Sequence, residues 1–342
     1  MKKKKLSIIF WALLCLIFFY FSFLSYAESP LSEGQAAYTV DIPKGASFHR
    51  IVELLEQTGL VKHKLLFYLL AVSQNAAGHI RAGEYELMVS MSPLEMLRKM
   101  VRGQIKGYPV TLPEDITMKE IVARLVTYKL VDEKDFMNLA SDREFLASLN
   151  IEGANLEGYL YPDTYFLDRS MGTRDIIKIM VGRFWKKVTP EMLDRSKELG
   201  FTTQEFITMA SIIGKESGNK NEKHIISAVF HNRLKKGMKL QSDPTAVYNL
   251  NNFNGVIKKR HLQNNEPHNT YHINGLPPGP IANPGIDSLQ AALYPAAVNY
   301  LYFVSQNDGT HFFSSSFAVH NEAVSKYQNK KEKEEEEEDA IP

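Results

Sequence analysis

The sequence predicts an α+β protein built from an N-terminal transmembrane helix, a small α/β subdomain and a larger mixed α/β domain with a loop-rich cleft. Three observations support this prediction. Residues 6–26 form an uncharged apolar run, a near-repeat twice places a β-rich segment before a helix, and later helical segments lead into loops at 241–300. Strand-like and helix-like patterns that are segregated along one chain are typical of α+β folds.

The bulk composition is that of a folded protein without a strong charge bias. The chain has 342 residues, which corresponds to about two domains, and 44% of them are apolar. Lys and Arg number 40 against 39 Asp and Glu, so no basic excess favours nucleic acid as a partner. Cys15 is the only cysteine and lies in the apolar run, which excludes disulfides, Cys-ligated metals and a thiol nucleophile elsewhere.

The first residues predict a membrane anchor. Residues 1–5 form a basic tip, and the run 6–26 has about the 20 apolar residues that a helix needs to cross a bilayer. By the positive-inside rule, Lys2–Lys5 stay in the cytoplasm, and the rest of this single-pass protein lies on the outer, periplasmic side. A cleaved signal peptide is the alternative, because the small residues Ser25 and Ala27 fit a cleavage site. Both alternatives export the rest of the chain.

Residues 42–61 and 112–131 form a near-repeat with a shift of 70 positions. In each copy a β-rich segment leads through a turn to a helix that starts at a Ser or a Thr. An Ile-Val pair, a Leu and a closing Leu-Val occupy the same places in both copies. Thr117 and Glu120 have the spacing of a capping box, which satisfies free amides at a helix start.

The segment between these copies completes a small subdomain at residues 37–110. Gly83–Val89 alternates like a strand, and Ser92, Pro93 and Glu95 predict the start of a helix. This strand–helix–helix–strand pattern resembles LysM modules, which bind glycan chains. Many α+β units share the pattern, so a purely structural spacer is the alternative.

Residues 111–328 predict a second domain that is richer in helices. Its loops at 241–300 carry Tyr, Asn, His and Pro rather than Ser, Lys and Glu, and long loops of this kind favour a functional role. Residues 329–342 contain a charge run without apolar periodicity, which predicts a disordered tail.

Glu216 breaks the apolar face of a predicted helix. Thr202 and Glu205 have capping-box spacing at its start. At about 100° per residue, Glu216 falls between Met209 and Ile212 rather than on the polar face. Apolar surroundings raise the pKa of a carboxyl group, and a protonated acid near neutral pH is what cleavage of a glycosidic bond requires. A glutamate at a frayed helix end, turned into solvent, is the alternative.

The segment "ASIIGKES" around Glu216 resembles the "ASIIEKE[ST]" helix of the YceG-like (MltG-type) endolytic murein transglycosylases. Four further segments resemble that family's signature segments and follow in the same order. They are "LEGYLYPDTYF" (156–166), "VFHNRLKKGMKLQSDPT" (229–245), "YHINGLPPGPIANPG" (271–285) and "YLYFVSQNDGTHFFS" (300–314). The resemblance extends from residue 1 to residue 328.

The resemblance implies a membrane-anchored lyase that faces the cell wall. Such an enzyme cuts the bond between N-acetylmuramic acid and N-acetylglucosamine within glycan strands, leaves 1,6-anhydro-muramyl ends, and thereby limits or terminates strand elongation. The expected partners are peptidoglycan glycan strands, with the cell-wall synthesis machinery as a candidate. No cofactor and no metal are implied.

The family's catalytic residue is the second Glu of its "EKE" triplet, which corresponds to Glu216. It would protonate the glycosidic oxygen and then accept a proton from the muramyl 6-hydroxyl as that oxygen closes onto C1, so no second carboxylate is required. Gly214 replaces the first Glu of the triplet. A glycine inside a helix costs about 1 kcal/mol relative to alanine, and the replacement removes a negative group that would help to raise the pKa of Glu216. Because Gly214 lies far round the helix from Glu216, we expect activity to survive.

Other residues of the matching segments are candidates for binding the sugar or orienting Glu216. Asp243 fits a turn or helix cap equally well, and the Pro and Gly residues fit turn architecture. The candidates are Ser217, Asn232, Arg233, Gln241, Asp243, Thr245, Tyr271, Gly275, Leu276, Pro277 and Pro278.

Two other classes of protein compete with this interpretation. A non-catalytic peptidoglycan-binding or scaffolding protein would retain the glycan module, and Gly214 would then mark lost activity. A metal hydrolase would use His224, His231, His268 and His272, but no HExxH pattern occurs. Core or surface histidines explain these four residues better. Neither a P-loop nor a GxSxG elbow is present.

Overall fold

The computed structural model describes residues 2–250, 253 and 255–338. The chain forms two compact units. The N-terminal unit comprises the chain up to Pro109 together with Phe166–Gly172, and the C-terminal unit comprises Val110–Tyr165 together with the chain from Thr173 onward. The sequence places a boundary between residues 110 and 111, and it does not predict that Phe166–Gly172 belongs to the N-terminal unit.

The first helix, α1 (Lys2–Glu28), is apolar along most of its length. Its segment Lys4–Glu28 has a mean hydropathy of 2.4, and within the described residues it is the one helix long and apolar enough to cross a membrane. Near its end, Phe23 packs against the core of the N-terminal unit and Ala27 is only 3% exposed. The apolar helix predicted at 6–26 is therefore present, and its last turns contact the unit that follows.

The N-terminal unit combines an antiparallel strand pair with three further helices. Val40 and Ile42 point into its core because alternate residues of a strand face the same side. The strands pair from Ala37 opposite Met88 to Ile42 opposite Gly83. The elements are β1 (Ala37–Ile42), α2 (Phe48–Gln57), α3 (Lys64–Ser73), β2 (Gly83–Met88) and α4 (Pro93–Val101).

The helix starts predicted from capping boxes are confirmed. Ser92 and Glu95 exchange hydrogen bonds at the start of α4, and Thr117 and Glu120 do so at the start of α5 (Met118–Thr127). In the other copy of the near-repeat, α2 starts after Ser47, whose hydroxyl accepts a backbone amide. Both copies therefore use the same local device to begin their helix.

The C-terminal unit is mainly helical, with short strands. The paired strands β3 (Tyr108–Thr111) and β4 (Thr164–Leu167) each contain residues of both units. Within the C-terminal unit, β5 pairs antiparallel with β6 from Tyr302 opposite Ser314 to Ser305 opposite His311. The other elements are α6 (Glu133–Ala140), α7 (Arg143–Ser148), α8 (Thr173–Lys187), α9 (Pro190–Glu198), α10 (Thr203–Glu216), α11 (Lys223–Lys235), α12 (Asp243–Val247), α13 (Lys259–Leu262), α14 (Ile286–Leu293), β5 (Tyr302–Ser305), β6 (His311–Ser314) and α15 (Phe317–Glu338).

Helix α15 extends into the segment 329–342 that the sequence predicts as a disordered tail. Residues 329–338 are helical, whereas residues 339–342 lie outside the described residues. Lys and Glu are good helix formers, so this charged segment continues the helix that precedes it. Disorder of the tail stays a prediction.

Candidate active site

Helix α10 carries Glu216 at its C-terminal end. The predicted capping box of Thr202 and Glu205 begins the helix, and every residue from Phe206 to Gly214 is buried. A helix that is enclosed on all sides belongs to the core of its unit. Glu216 is therefore held by a rigid element at the edge of that core, where the residue is partly exposed.

Glu216 lies in the wall of an open cavity of about 450 Å³ in the C-terminal unit. The predicted residues Arg233, Gln241, Asp243 and Tyr271 line the same cavity. Arg233 comes from α11, Asp243 is the first residue of α12, and the other two lie in loops. Separate segments of the chain thus meet around one carboxyl group.

Burial raises the pKa of the Glu216 carboxyl group to about 7. A hydrogen bond from the Ser242 hydroxyl opposes this rise, the negative charge of Asp243 adds to it, and the Arg233 guanidinium opposes it. Glu216 is partly exposed and lines the cavity, yet desolvation is the largest cause of the raised pKa of its carboxyl group. A group that titrates near pH 7 can both donate and accept a proton at neutral pH.

Ser242 holds the Glu216 carboxyl group and was not among the predicted residues. Its hydroxyl donates to Glu216 Oε1. Its backbone amide donates to Thr270 Oγ1 at 2.9 Å, and Thr245 Oγ1 donates to its carbonyl oxygen at 2.6 Å. The predicted residue Thr245 is fully buried and supports Ser242. Its position in "LQSDPT", between the predicted residues Gln241 and Asp243, is the sequence feature that could have indicated it.

Arg233 places a positive charge in the cavity wall. The residue is 7% exposed, and burial lowers the pKa of its guanidinium. Its Nε donates to the Leu301 carbonyl oxygen and its Nη1 to that of Leu240, each at 2.7 Å. The guanidinium also stands 5.3 Å from the centre of the Tyr302 ring. These contacts fix a cation where it stabilises the carboxylate form of Glu216.

Asp243 and Tyr271 form a second polar pair in the wall. The Tyr271 hydroxyl donates to Asp243 Oδ1 at 2.5 Å. Burial, followed by this bond and the Asp243 charge, raises the pKa of Tyr271 well above its ordinary value. Tyr271 therefore keeps its proton at neutral pH and holds the Asp243 carboxylate in place.

Ser217 and Asn232 order the backbone next to the cavity. Ser217 caps the C-terminus of α10, and its hydroxyl accepts the Asn219 amide at 3.0 Å. The side-chain amide of Asn232 donates to the carbonyl oxygens of Val298 and Tyr300, both at 2.9 Å. A direct contact of either residue with a substrate stays a prediction.

The predicted loop Gly275, Leu276, Pro277 and Pro278 is not among the described residues that line this cavity. Gly275 has φ of 82°, in the left-handed region that favours glycine. The Pro278 carbonyl oxygen accepts a hydrogen bond from Gln204 Nε2 at 2.6 Å. These contacts fit the alternative of turn architecture, and a role in substrate binding stays a prediction.

An aromatic wall lines the same cavity as Glu216 and was not predicted. Tyr302 and Phe303 of β5 and Phe317 and His320 of α15 line the cavity. The His320 ring stacks on Tyr302, with centroids 5.2 Å apart and planes 24° from parallel. Phe317 and His320 are three positions apart, the spacing of neighbours on one helix face. Flat aromatic surfaces beside polar groups suit an amphipathic ring such as a sugar.

The four histidines weighed as metal ligands each make a hydrogen bond within the protein. Three of them donate to backbone carbonyl oxygens at 2.6 to 3.2 Å. The pairs are His224 with Tyr294, His231 with Ala292, His272 with Leu262, and His268 with the Asn249 side chain. In the part of the chain that the structure describes, no group of three or more His, Cys, Asp or Glu residues is placed to hold a metal ion.

Glu157 is a second buried glutamate, from the segment "LEGYLYPDTYF". It is 2% exposed, and burial raises the pKa of its carboxyl group to about 7. Three donors restrain that rise: the Met118 amide at 2.8 Å, Asn283 Nδ2 at 2.7 Å and the Tyr248 hydroxyl at 2.9 Å. Glu157 therefore joins three segments of the C-terminal unit.

Together these features define a class of protein: an α+β chain with an apolar N-terminal helix and a helix-borne acid that titrates near neutrality in a polar cavity. The family model described as "YceG-like family" matches residues 40–326. Because this match covers most of the chain, the protein belongs to the YceG-like family.

Relatives and a solved structure agree with this assignment. An endolytic murein transglycosylase from Bacillus subtilis (strain 168) is 31% identical over 323 residues, covering 90% of this chain and 89% of that protein. Another, from Streptococcus pneumoniae serotype 2, is 29% identical over 88% of this chain and 60% of its own length. A solved YceG-like protein from Listeria monocytogenes is 32% identical, with a TM-score of 0.59 and coverage of 85% and 100% of the two chains.

Proposed function

We propose that this protein is a membrane-anchored endolytic murein transglycosylase. It cleaves the bond between N-acetylmuramic acid and N-acetylglucosamine within peptidoglycan strands and leaves 1,6-anhydro-muramyl ends. The observation that carries the proposal is the Glu216 carboxyl group, whose pKa burial raises to about 7 in the wall of an open cavity. Family membership and the names of the relatives support the same substrate class.

Glu216 acts first as the acid. At neutral pH a large fraction of the carboxyl group is protonated, and it donates this proton to the glycosidic oxygen as the bond to C1 breaks. The N-acetylglucosamine side leaves as an alcohol, and positive charge develops at C1 of the muramyl residue. The Ser242 hydroxyl and Arg233 stabilise the carboxylate that remains.

Glu216 then acts as the base. The carboxylate takes the proton of the muramyl 6-hydroxyl while that oxygen bonds to C1, which closes the 1,6-anhydro ring. The proton gained in this step restores the starting form of Glu216. No water enters the products, so the overall reaction is an intramolecular transglycosylation rather than a hydrolysis.

Asp243 sets up the main chemical alternative. It is a second carboxylate in the same cavity wall, and a glycosidase that hydrolyses its substrate uses two carboxyl groups. We assign Asp243 an electrostatic role because its charge raises the pKa of Glu216 and Tyr271 already donates to it. The end group distinguishes the two chemistries: intramolecular transglycosylation leaves anhydro ends, whereas hydrolysis leaves reducing ends.

Anchoring and glycan binding belong to the N-terminal unit in this proposal. Helix α1 spans the membrane once, with Lys2–Lys5 in the cytoplasm and the other elements outside. The unit of β1, α2, α3 and β2 has the strand–helix–helix–strand order of the LysM-like prediction, and we propose that it binds glycan. It would hold a strand near the membrane while the C-terminal unit cuts.

The test is an end-group analysis with the full chain in detergent or in nanodiscs. Wild-type protein is incubated with purified peptidoglycan, and the released fragments are separated and weighed by mass spectrometry. We expect the wild type to create new anhydro-muramyl ends by cleavage within strands, and Glu216→Gln to create none. The glutamine has the same size as the glutamate, so the variant should fold equally well.

Two results would contradict the proposal. Reducing ends in place of anhydro ends would indicate a hydrolase that uses Asp243. Binding of peptidoglycan without any cleavage, under conditions where a relative is active, would favour the non-catalytic scaffolding protein.

A further inference from the structure

Gly214 is the position where the helix of Glu216 departs from the family pattern, and a carboxyl group fills the space beside it. A Cβ atom placed on Gly214 would lie 1.9 Å from Oδ1 and 2.4 Å from Cγ of Asp115. No side chain fits there unless Asp115 moves. The glycine is therefore required by a close approach from another segment rather than by the helix itself.

Asp115 occupies a backbone position that suits glycine. Its φ is +63°, in the left-handed region that few side chains adopt readily. In the near-repeat, with its shift of 70 positions, the corresponding residue is Gly45, with φ of +77°. The same turn is thus built with glycine in one copy and with a strained aspartate in the other. A non-glycine residue is retained in this strained backbone conformation where its side chain makes contacts that the structure or the function requires.

The partners of Asp115 show what its side chain holds. Lys223 Nζ lies 3.2 Å from Asp115 Oδ2 and donates to Ser288 Oγ at 2.8 Å, and Ser288 Oγ lies 3.4 Å from Asp115 Oδ1. Lys223 is 2% exposed. A buried ammonium group is costly without a carboxylate partner, so Asp115 makes the burial of Lys223 tolerable.

This cluster connects the elements on both sides of the Glu216 turn. Gly214 lies two residues before Glu216 on α10, Lys223 begins α11, and Ser288 belongs to α14. The segment 217–222 between α10 and α11 is therefore fixed at both ends. Helix α11 also carries Arg233 into the cavity wall.

The Asp115 carboxyl group occupies space that a side chain at position 214 would enter, and its distance from that position is close to that of a glutamate's own carboxyl carbon. The carboxyl carbon of a glutamate lies about 2.5 Å from its own Cβ, across two carbon–carbon bonds. The Asp115 carboxyl carbon lies 2.4 Å from the Cβ position of residue 214. The family pattern has a glutamate at this position, so here a loop supplies the carboxylate that the helix lacks.

We propose that Asp115 is a positioning residue for Glu216, which replaces the side chain absent at Gly214 and pairs with Lys223 to fix the end of α10. The inference rests on the proposed function. Asp115 is not among the described residues that line the cavity, nor among the groups that shift the pKa of Glu216. Its effect is therefore on the geometry of the acid.

Relocating the carboxylate tests this proposal. Asp115→Asn tolerates the same backbone conformation but leaves Lys223 without its carboxylate, and we expect kcat to fall about tenfold with KM within about twofold, since small displacements of a reacting group are costly. The double variant Asp115→Gly with Gly214→Glu returns glycine to the left-handed position and the carboxylate to the helix. We expect its kcat to recover to within about threefold of wild type, as coupled neighbours compensate.

The matched control is the double variant Asp115→Gly with Gly214→Gln. The glutamine side chain has the same volume as glutamate but no charge, so kcat should stay about as low as in Asp115→Asn. Thermal unfolding of all variants gives a second readout that needs no substrate. Both double variants replace a helical glycine, which by itself stabilises the helix, so the charge is tested by comparing them with each other: the Glu double variant should unfold at a higher temperature than the Gln control.

Specific outcomes overturn the proposal. Wild-type kcat in Asp115→Asn would show that the position of Glu216 does not depend on this pair. A Glu double variant no better than its Gln control, in kcat and in unfolding temperature, would show that the two sites do not share one carboxylate. A wild-type protein that forms no anhydro ends would refute the proposed function instead, and the unfolding comparison would still decide the pairing.

Discussion

Glu216 and Glu157 are two glutamates of the C-terminal unit, and desolvation raises the pKa of each carboxyl group to about 7. Their surroundings differ. Glu157 is 2% exposed and accepts hydrogen bonds from three donors on three segments. Glu216 lines an open cavity and accepts a hydrogen bond from Ser242.

A raised carboxyl pKa therefore indicates burial and does not by itself identify a catalytic residue. Both carboxyl groups can hold a proton at neutral pH, but a substrate oxygen can reach only a group that faces open space. The donors around Glu157 are fixed backbone and side-chain groups that a substrate cannot displace without unfolding the segments they join. In the proposed mechanism, access and a small number of fixed partners distinguish Glu216, which reacts, from Glu157, which stabilises the fold.

The largest expected difference is in activity. Glu216→Gln should lower kcat about 1000-fold, because general acid–base catalysis contributes about 10²- to 10⁴-fold. Glu157→Gln should lower it less than about tenfold, because the glutamine keeps an acceptor for the Met118 amide. Both rates come from the formation of anhydro ends. An equal fall in kcat in the two variants would show that Glu216 is no more important for catalysis than Glu157.

The stability effects should be in the opposite order. Glu157→Ala leaves three buried donors without an acceptor, and we expect the free energy of unfolding to fall by about 3 kcal/mol or more. Glu216→Ala should change it by less than about 1.5 kcal/mol, since one hydroxyl loses its partner. Denaturant unfolding is followed by Trp185 fluorescence in a Trp11→Phe background, which leaves one tryptophan.

The matched control for these measurements is Glu198→Ala, an exposed glutamate paired with Arg195. It should change the free energy of unfolding by less than about 0.5 kcal/mol. A Glu157→Ala variant as stable as this control would show that the three hydrogen bonds contribute nothing net.

Stability should also depend on pH through Glu157. Its pKa is raised from 4.5 to about 7 on folding, so the folded state binds the proton more tightly. This contribution is complete below pH 4.5 and is lost as pH rises toward about 7. We expect the unfolding temperature to fall over that range and to fall less in Glu157→Gln. A wild-type protein that gains stability as pH rises from 4.5 to 7 would contradict the sign.

The smallest expected effect is on the pH profile of catalysis. Because Glu216 must start protonated, kcat should decline on the alkaline side with a midpoint of about pH 7. The Ser242 hydroxyl lowers the pKa of Glu216, so Ser242→Ala should move this decline to higher pH. Ser227→Ala is the control: its buried hydroxyl has no partner among the described groups, and its profile should match wild type. A shift to lower pH in Ser242→Ala would reverse the assigned role of that bond.

Local features of the fold were accessible from the sequence. The capping boxes at Ser92, Thr117 and Thr202 need residues only three positions apart, and each forms as predicted. The helical period also placed Glu216 on the apolar side of α10, and desolvation there is the largest cause of the raised pKa of its carboxyl group. Capping boxes and apolar periodicity depend only on residues within one helix, so they can be recognised from the sequence.

The partners of these residues were not accessible. Ser242 is 26 positions from Glu216, and Asp115 is 108 positions from Lys223. Such contacts depend on how distant segments pack, which spacing along the chain does not encode. The aromatic wall of β5 and α15 was missed for the same reason, although its residues lie in or beside a recognised segment.

The end of α1 has a consequence for the timing of any processing. Cleavage as a signal peptide would cut after Ala27, but this residue is 3% exposed and sits inside a helix that continues to Glu28. Phe23 packs into the N-terminal unit, and the Tyr26 hydroxyl donates to the His63 carbonyl oxygen at 3.4 Å. A peptidase would therefore have to act before this unit folds, so that cleavage during translocation competes kinetically with folding of the N-terminal unit. A chain that folds first keeps its apolar helix.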